Sequence, residues 1–399
     1  VKALRYRIRL VEPALLTGIE GNPNDGVSLD YLPGSVLRGA IMRKYRQQHG
    51  PLDAANDQIR RLFLENSTRF LNGYLVNTAD DPALCRRGLP LPLSFQREKG
   101  TKEPLYDFSV KEPSEGPWQS VSTPFGILTE DHQGKPIIYP LQPKRQLKVH
   151  NQRLDRDAGR PTERAGEVYR YESLAADQTF EAVILCDRET DTALLKPLLQ
   201  GEILLGGARS GGYGRAFFQA ITEEMAWREI GGKLITGAVN DGFTVTLLSD
   251  ALVRDSWGQF VASAEAIKVA LEQRWRLAPN SLLCEGERSF WRGQINGGFN
   301  RRWGLPLPQA LAIKMGSVFA FSLSAGCQCT TDQLNTLEAE GIGERRAEGF
   351  GRVAVNWHAE YEKWTLSKAS VTQPGTRLLN LWLLAGKFFM LLLCLAFLI

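Results

Sequence analysis

The chain has 399 residues, 43% hydrophobic and 23% charged, with a formal net charge of +4. That is an ordinary globular balance for two or three domains. So mild a charge excludes an argument for nucleic-acid binding from bulk electrostatics; such a claim has to rest on local clusters. Six cysteines (85, 186, 284, 327, 329, 394) and four histidines (49, 132, 150, 358) are scattered, and Cys327-Gln-Cys329 is too tight for a zinc finger. The expectation is a cytoplasmic protein with reduced thiols, no metal and no cofactor.

Val1-Lys-Ala-Leu-Arg-Tyr-Arg-Ile-Arg-Leu alternates apolar and basic residues, which predicts a strand over 3–10 with Arg5, Arg7 and Arg9 on one face. It lacks the continuous apolar core of a signal peptide. Turn residues, Asp25 among them, fill 11–32 and predict a loop. Pro33-Gly34 then turn the chain, Ser35 is the expected N-cap, and a helix runs from Val36 to about Gln48 with Arg38, Arg43, Lys44 and Arg46. A helix start beside arginines suits phosphate through dipole and charge together; the alternative is a solvated basic face.

Residues 58–72 predict a short helix followed by a strand. From about 78 to 145 the chain is proline-rich and reads as a long irregular insertion, with Arg86, Arg87, Arg97, Lys99 and Lys102 interleaved with Phe95 and Tyr106. Arg145, His150, Arg153, Arg156, Arg160 and Arg164 precede a strand-like Val168-Tyr-Arg-Tyr. A strand over 178–187 and a helix over 190–200 lead through Ile203-Leu204-Leu205 to Gly206-Gly-Ala-Arg-Ser-Gly-Gly-Tyr-Gly-Arg215. Five glycines let backbone N–H groups turn toward an anion, and Arg209 and Arg215 add planar forks suited to phosphate. The loop is neither a P-loop nor a dinucleotide fingerprint.

The same plan then returns: a strand at 242–249, a helical pattern at 259–276, and a basic-aromatic loop with Arg288, Trp291, Arg292, Arg301, Arg302 and Trp303. A strand at 316–323 and a helix at 331–340 follow. They lead to Gly341-Ile-Gly-Glu-Arg345-Arg346-Ala-Glu-Gly349-Phe-Gly351-Arg352 and a last strand. Both loops end in Gly-aromatic-Gly-Arg between a helix and a strand, 137 positions apart. A repeated loop at a repeated place argues for duplication. The predicted fold is α+β: two ferredoxin-like βαββαβ domains at 1–225 and 240–360, a linker at 361–377 and an apolar tail at 378–399.

Tyr31-Leu-Pro-Gly-Ser-Val-Leu-Arg-Gly, the His150 to Tyr171 segment and the two glycine loops resemble the RAMP superfamily of CRISPR–Cas proteins over nearly all of residues 1–357. Arg61-Leu-Phe-Leu, Thr68-Arg-Phe-Leu-Asn72 and Pro90-Leu-Pro-Leu-Ser94 look most like the large tandem-domain subunit of type III-D effector complexes. The resemblance implies a subunit that binds CRISPR RNA beside backbone RAMP proteins and a large subunit, and meets target RNA through the guide. By position it implies RNA contacts at Gly34, Ser35, Arg38, Gly206, Gly207, Arg209, Gly211, Gly212, Gly214 and Arg215; Arg43, Arg145, Arg153, Ser210 and Tyr213 are expected contacts beside them, read from the basic and loop residues themselves. In the second loop it implies them at Gly349, Gly351 and Arg352, and the neighbouring cations Arg345 and Arg346 are expected contacts as well.

Backbone subunits of this superfamily cut target RNA with an aspartate after the first strand, where Asp25 and Asp30 lie here; Asp25 in Asn-Pro-Asn-Asp-Gly is also a natural turn former. Processing members use a histidine that helps a 2′-OH attack its own phosphate, and His150 is the counterpart to weigh. No compact catalytic constellation emerges, so the expectation is a non-catalytic RNA binder. An endoribonuclease using Asp25 or His150 is the alternative. The tail, with twelve uncharged residues from Phe388 to Ile399, leaves three readings: a helix buried against protein, a membrane tail anchor, or an end unrelated to the fold.

Overall fold

A computed structural model describes residues 1–18, 25–77, 84–112, 115–152, 167–225, 227–231, 242–300, 305–358 and 360–367. Arg153 and the tail at 378–399 lie outside them. Among the described residues no helix is long and apolar enough to cross a membrane.

The alternation read at the N-terminus produces the central strand Lys2–Leu10. Leu4, Tyr6, Ile8 and Leu10 join the main core while Arg5, Arg7 and Arg9 point the other way. Each such buried aliphatic side chain contributes about 1.5–3 kcal/mol. A one-residue slip would bury the arginines instead, which fixes the register. Across the sheet the order is Glu202–Leu204, Arg215–Met225, Lys2–Leu10, Thr179–Cys186 and Thr68–Phe70, every pairing antiparallel. The helices Gly34–His49 and Glu189–Leu195 cover the apolar face through Leu37, Ile41 and Leu195. The first helix departs from expectation at its start: Pro33, not Ser35, is the N-cap, and the Gly34 N–H donates to Asn72 Oδ1 at 2.8 Å.

A second sheet runs Leu282–Cys284, Val318–Leu323, Phe243–Leu247, Val353–Val355, again antiparallel throughout. Its helices are Ala264–Trp275 and Thr331–Glu340. The first is capped by Ser263 on the Ala266 N–H; the second by a reciprocal box between Thr330 and Gln333. The fold is α+β. In both units the first strand is central, flanked by the third and the fourth.

The insertion is where the structure departs furthest from the sequence reading. It is not irregular: strands Leu89–Pro90, Phe95–Glu98, Leu105–Asp107, Trp118–Ser120, Phe125–Glu130 and Pro136–Leu141 build a seven-stranded sheet. The seventh strand, Lys363–Leu366, comes from the segment expected to be a linker. It pairs parallel to Pro136–Leu141 and antiparallel to Leu105–Asp107. Trp364 makes this favourable by burying itself against Leu91, Phe95, Leu105 and Ile138. Phe95, read as a base-stacking residue, is core.

Two buried polar clusters bind the parts together. Glu229 accepts from Arg87 and, at 3.1 Å, from Arg352 Nε. Asp107 of the insertion meets His358 Nδ1, whose Nε2 lies 2.9 Å from the Thr246 hydroxyl.

Candidate functional site

The two glycine loops have the same backbone. In each, a single 3-10 turn, Arg209–Gly211 or Arg346–Glu348, sits between left-handed residues: Ala208 and Gly212 in one, Arg345 and Gly349 in the other. The Leu205 N–H donates to the Gly214 carbonyl at 2.8 Å, and Ile342 to Gly351 at 2.8 Å. Gly214 donates to Pro13 and Gly351 to Asp250, both at 2.8 Å; Gly207 donates to Leu15 at 2.8 Å and Glu344 to Leu252 at 2.9 Å. Glycine is required at the closing position. A Cβ on Gly214 would come within 2.0 Å of the Leu205 carbonyl oxygen, and one on Gly351 within 1.8 Å of that of Ile342.

The surroundings are duplicated too. Each unit raises a β-arm between its second and third strands, Arg145–Gln152 with Glu167–Leu174 in one and Gly293–Asn296 with Ala310–Ile313 in the other. Each arm returns through a bridge to the segment leaving the first strand, Ala14 to Leu174 and Ala251 to Ile313.

In the first unit, loop and arm enclose a cluster of rings. His150 stacks on Tyr169 at 5.3 Å and 12° and lies 5.0 Å from Tyr171, while its Nε2 is 2.8 Å from the Tyr213 hydroxyl. Lys148 holds its ammonium 5.5 Å above the Tyr213 ring. Burial, helped by Tyr171 and Tyr169, pushes the Tyr213 phenol above its ordinary value, so it keeps its proton. Beyond this buried ring the loop tip, Arg209 to Gly212, is exposed. Arg209 reaches back to the Leu204 carbonyl at 3.4 Å, and Arg215 pairs with Glu12 at 3.4 Å with 46% of its side chain exposed. Open backbone, cations and rings on one surface suit a nucleic-acid strand: phosphates at the loop, bases at the rings.

The second unit closes the same place. Ala310 and Asn296 stand where the first arm has Tyr171 and Lys148, and Asn296 donates to Asp250 at 2.9 Å. Phe350, the counterpart of Tyr213, packs with Leu252, Ala310, Ala312 and Phe260. The loop itself is docked on the first unit. A Cβ on Gly34 would meet the Phe70 carbonyl oxygen at 2.0 Å and that of Glu348 at 2.5 Å. Arg352 is 3% exposed, with its Nη atoms on the carbonyls of Glu338 and Ala339 and its Nε on Glu229. Arg345 pairs with Glu348 at 2.6 Å and lies over Phe350; Arg346 donates to the Glu340 carbonyl at 3.4 Å.

The remaining expected residues divide accordingly. Gly34 is buried and Arg38 bonds the Phe63 carbonyl and Glu348, so the helix start is an inter-unit contact; Ser35 is half-buried beside it and Arg43 is exposed. Arg145 is held between Asp30 and Glu172, 2.8 and 2.9 Å away. Strand Asp25–Val27 runs parallel to the returning arm strand, with position 25 opposite Arg170 and position 26 opposite Tyr171. Since His150 is opposite Tyr169, positions 25 and 150 fall on opposite faces of this three-stranded sheet. Sequence reasoning missed Lys148, Tyr169 as a stacking partner, and the whole Arg87–Glu229–Arg352 clamp. The alternation of Lys148 and His150 with Leu147 and Val149 was the available signal for the arm.

No family model and no curated protein sequence matches the chain. Among solved structures it is similar to a chain in the cryo-EM structure of Type III-B Cmr-beta bound to cognate target RNA and AMPPnP. The identity is 14%, covering 79% of this chain and 86% of that one, with a TM-score of 0.43. It is also similar to a CRISPR associated protein Cas6 (9% identity, 88% of this chain and 98% of that one, TM-score 0.35). A Cas6-related protein from Pyrococcus furiosus aligns over the same shares at 10% identity and a TM-score of 0.36.

Proposed function

We propose that this chain is a non-catalytic, CRISPR-RNA-binding subunit of a type III effector complex, built from two tandem ferredoxin-like units as in the large tandem subunit of the III-D subtype. The observation that carries the reading is the open first-unit surface, where the exposed Arg209–Gly212 tip meets Lys148 and the ring cluster of His150, Tyr169, Tyr171 and Tyr213. Backbone N–H groups and cations grip phosphates, and the rings receive unpaired bases. The shared strand order of the two units supports the ferredoxin-like plan. The motifs Tyr31 to Gly39 and Gly206 to Arg215 support the superfamily and the guide RNA as ligand.

Asp30 bound to Arg145 and His150 bound to Tyr213 support binding without cleavage. Backbone RAMP proteins and the large subunit are the protein partners of this reading, in the cytoplasm, with target RNA reached through the guide. Sequencing the RNA that co-purifies with the full chain and its co-expressed subunits is the test. Repeat-derived guides are expected; random cellular RNA would overturn the proposal. Asp25→Ala is expected to leave target and precursor cleavage unchanged and His150→Ala to lower them only as far as RNA is lost; loss of cleavage with assembly and RNA content intact would favour the endoribonuclease.

A further inference from the structure

We infer that Trp257 is a base-stacking residue for the same RNA, an inference that rests on the RNA-binding reading above. It stands at the tip of the hairpin joining Val253–Arg254 to Phe260–Val261, and 87% of it is exposed. An indole has more to gain from burial than almost any side chain, so a flat partner that covers it would bind favourably. The turn that displays it is over-determined. Asp255 Oδ1 accepts from the backbone N–H of Trp257 and of Gln259, each at 2.9 Å. The Asp255 N–H donates to the Gln259 carbonyl at 3.0 Å, and Arg254 donates to the Gly258 carbonyl while its Nε pairs with Glu344 of the second glycine loop. A ring held out on a rigid turn loses little freedom when it binds.

The neighbourhood selects the partner. Ser256, Gly258 and Gln259 are polar or bare, Val253 is buried, and Phe260 is covered by the Arg254 guanidinium at 3.8 Å. A protein hot spot needs a surrounding rim of contact, whereas a nucleobase needs one free ring face. The base of the hairpin adds a cation: Ala262 packs against Gly293, next to exposed Arg292, which has no carboxylate partner among the described residues. Within its own unit the hairpin leaves the first strand where the Thr17–Ser28 bridge does beside the open loop.

The test uses the full chain, Trp257→Ala and Trp257→Phe with single-stranded RNA containing 2-aminopurine, titrated at several salt concentrations. Wild type and Trp257→Phe should bind within about twofold of each other, with the wild type quenching the probe more strongly; Trp257→Ala should bind about tenfold more weakly, with quenching reduced and the salt slope unchanged. Exposure of the residue predicts an unchanged melting temperature for both variants. Wild-type affinity and quenching in Trp257→Ala would overturn the stacking role and leave the RNA-binding reading standing. Unchanged RNA affinity with loss of a co-purifying subunit would assign the indole to a protein and also overturn it. Failure of the wild type to bind any RNA would overturn both.

Discussion

The first and second glycine loops share backbone bonds, left-handed positions and flanking arms, yet they meet different worlds. One holds its tip in solvent beside Lys148 and four aromatic or imidazole rings; the other has its tip against Phe70 and Asn72 of the first unit. The comparison separates what the motif does from what its side chains do. Gly-aromatic-Gly-Arg is first a way of fastening a loop to the segment leaving the first strand, and that need exists with or without a ligand. Binding chemistry is added by the arm and the exposed tip. Of the two loops, one leaves backbone, cations and rings open on a surface, and the other holds the chain together.

The final arginine of each loop offers the sharpest way to break that comparison. Arg352→Ala leaves Glu229 buried with only Arg87, and removing one partner from a buried pair costs about 3–5 kcal/mol. Arg215→Ala removes an exposed pair with Glu12 and should cost no more than about 1 kcal/mol. Denaturant unfolding of both variants measures the contrast; equal losses would mean that the second loop is not a clamp. Burial opposes ionisation of Glu229, but Arg87 and Arg352 outweigh it and hold its carboxyl below the ordinary value. A depressed carboxylate stabilises the fold above its unfolded value and loses that contribution as pH falls through the folded one. Acidification below about pH 4 should therefore weaken the clamp, and Glu229→Gln should flatten that part of the stability profile.

The units were legible because their signals are local. Strand alternation at 3–10, the Thr330–Gln333 box and the repeated Gly-aromatic-Gly-Arg each lie within a dozen residues. The insertion was not legible because its strands are two to six residues long and contain prolines at 90, 136 and 140. Its pairing to Lys363–Leu366 joins segments far apart in the chain, and no short window carries that partnership. The helix start at Gly34 misled for a related reason. Its chemistry suits an anion, but Asn72 takes its first N–H and Glu348, more than 300 positions away, covers it. Tyr213 and His150 were both visible as candidates; the bond between them was not.

A second pair of equivalents tests the docking of the loop rather than its charge. Gly212 and Gly349 both have left-handed φ, so alanine at either carries a conformational cost of about 1–2 kcal/mol. A Cβ at 212 meets nothing within 4 Å, whereas one at 349 would lie 2.6 Å from the Phe70 carbonyl oxygen. Gly349→Ala should add about 1–3 kcal/mol of overpacking to the shared cost. Thermal unfolding of the two variants side by side should separate them, and coincident curves would refute the packed inter-unit contact.

The smallest expected effect distinguishes the two aromatics. Tyr213→Phe gives the first loop the residue that the second already has, keeping the ring and removing only the hydroxyl 2.8 Å from His150 Nε2. One such bond is worth about 0.5–1.5 kcal/mol to stability. If the hydroxyl holds His150 and Tyr169 in their stack, RNA affinity should fall a few-fold as well, within the range of about 1–3 kcal/mol that a stacked base supplies. Phe350→Ala in the second loop should destabilise the fold through its lost packing yet leave the affinity of the folded fraction unchanged. Fluorescence anisotropy with labelled single-stranded RNA reads both. An affinity loss for Phe350→Ala equal to that for Tyr213→Phe would mean that the two repeats bind alike, because a residue packed among Leu252, Ala310 and Ala312 reaches RNA only if that loop opens.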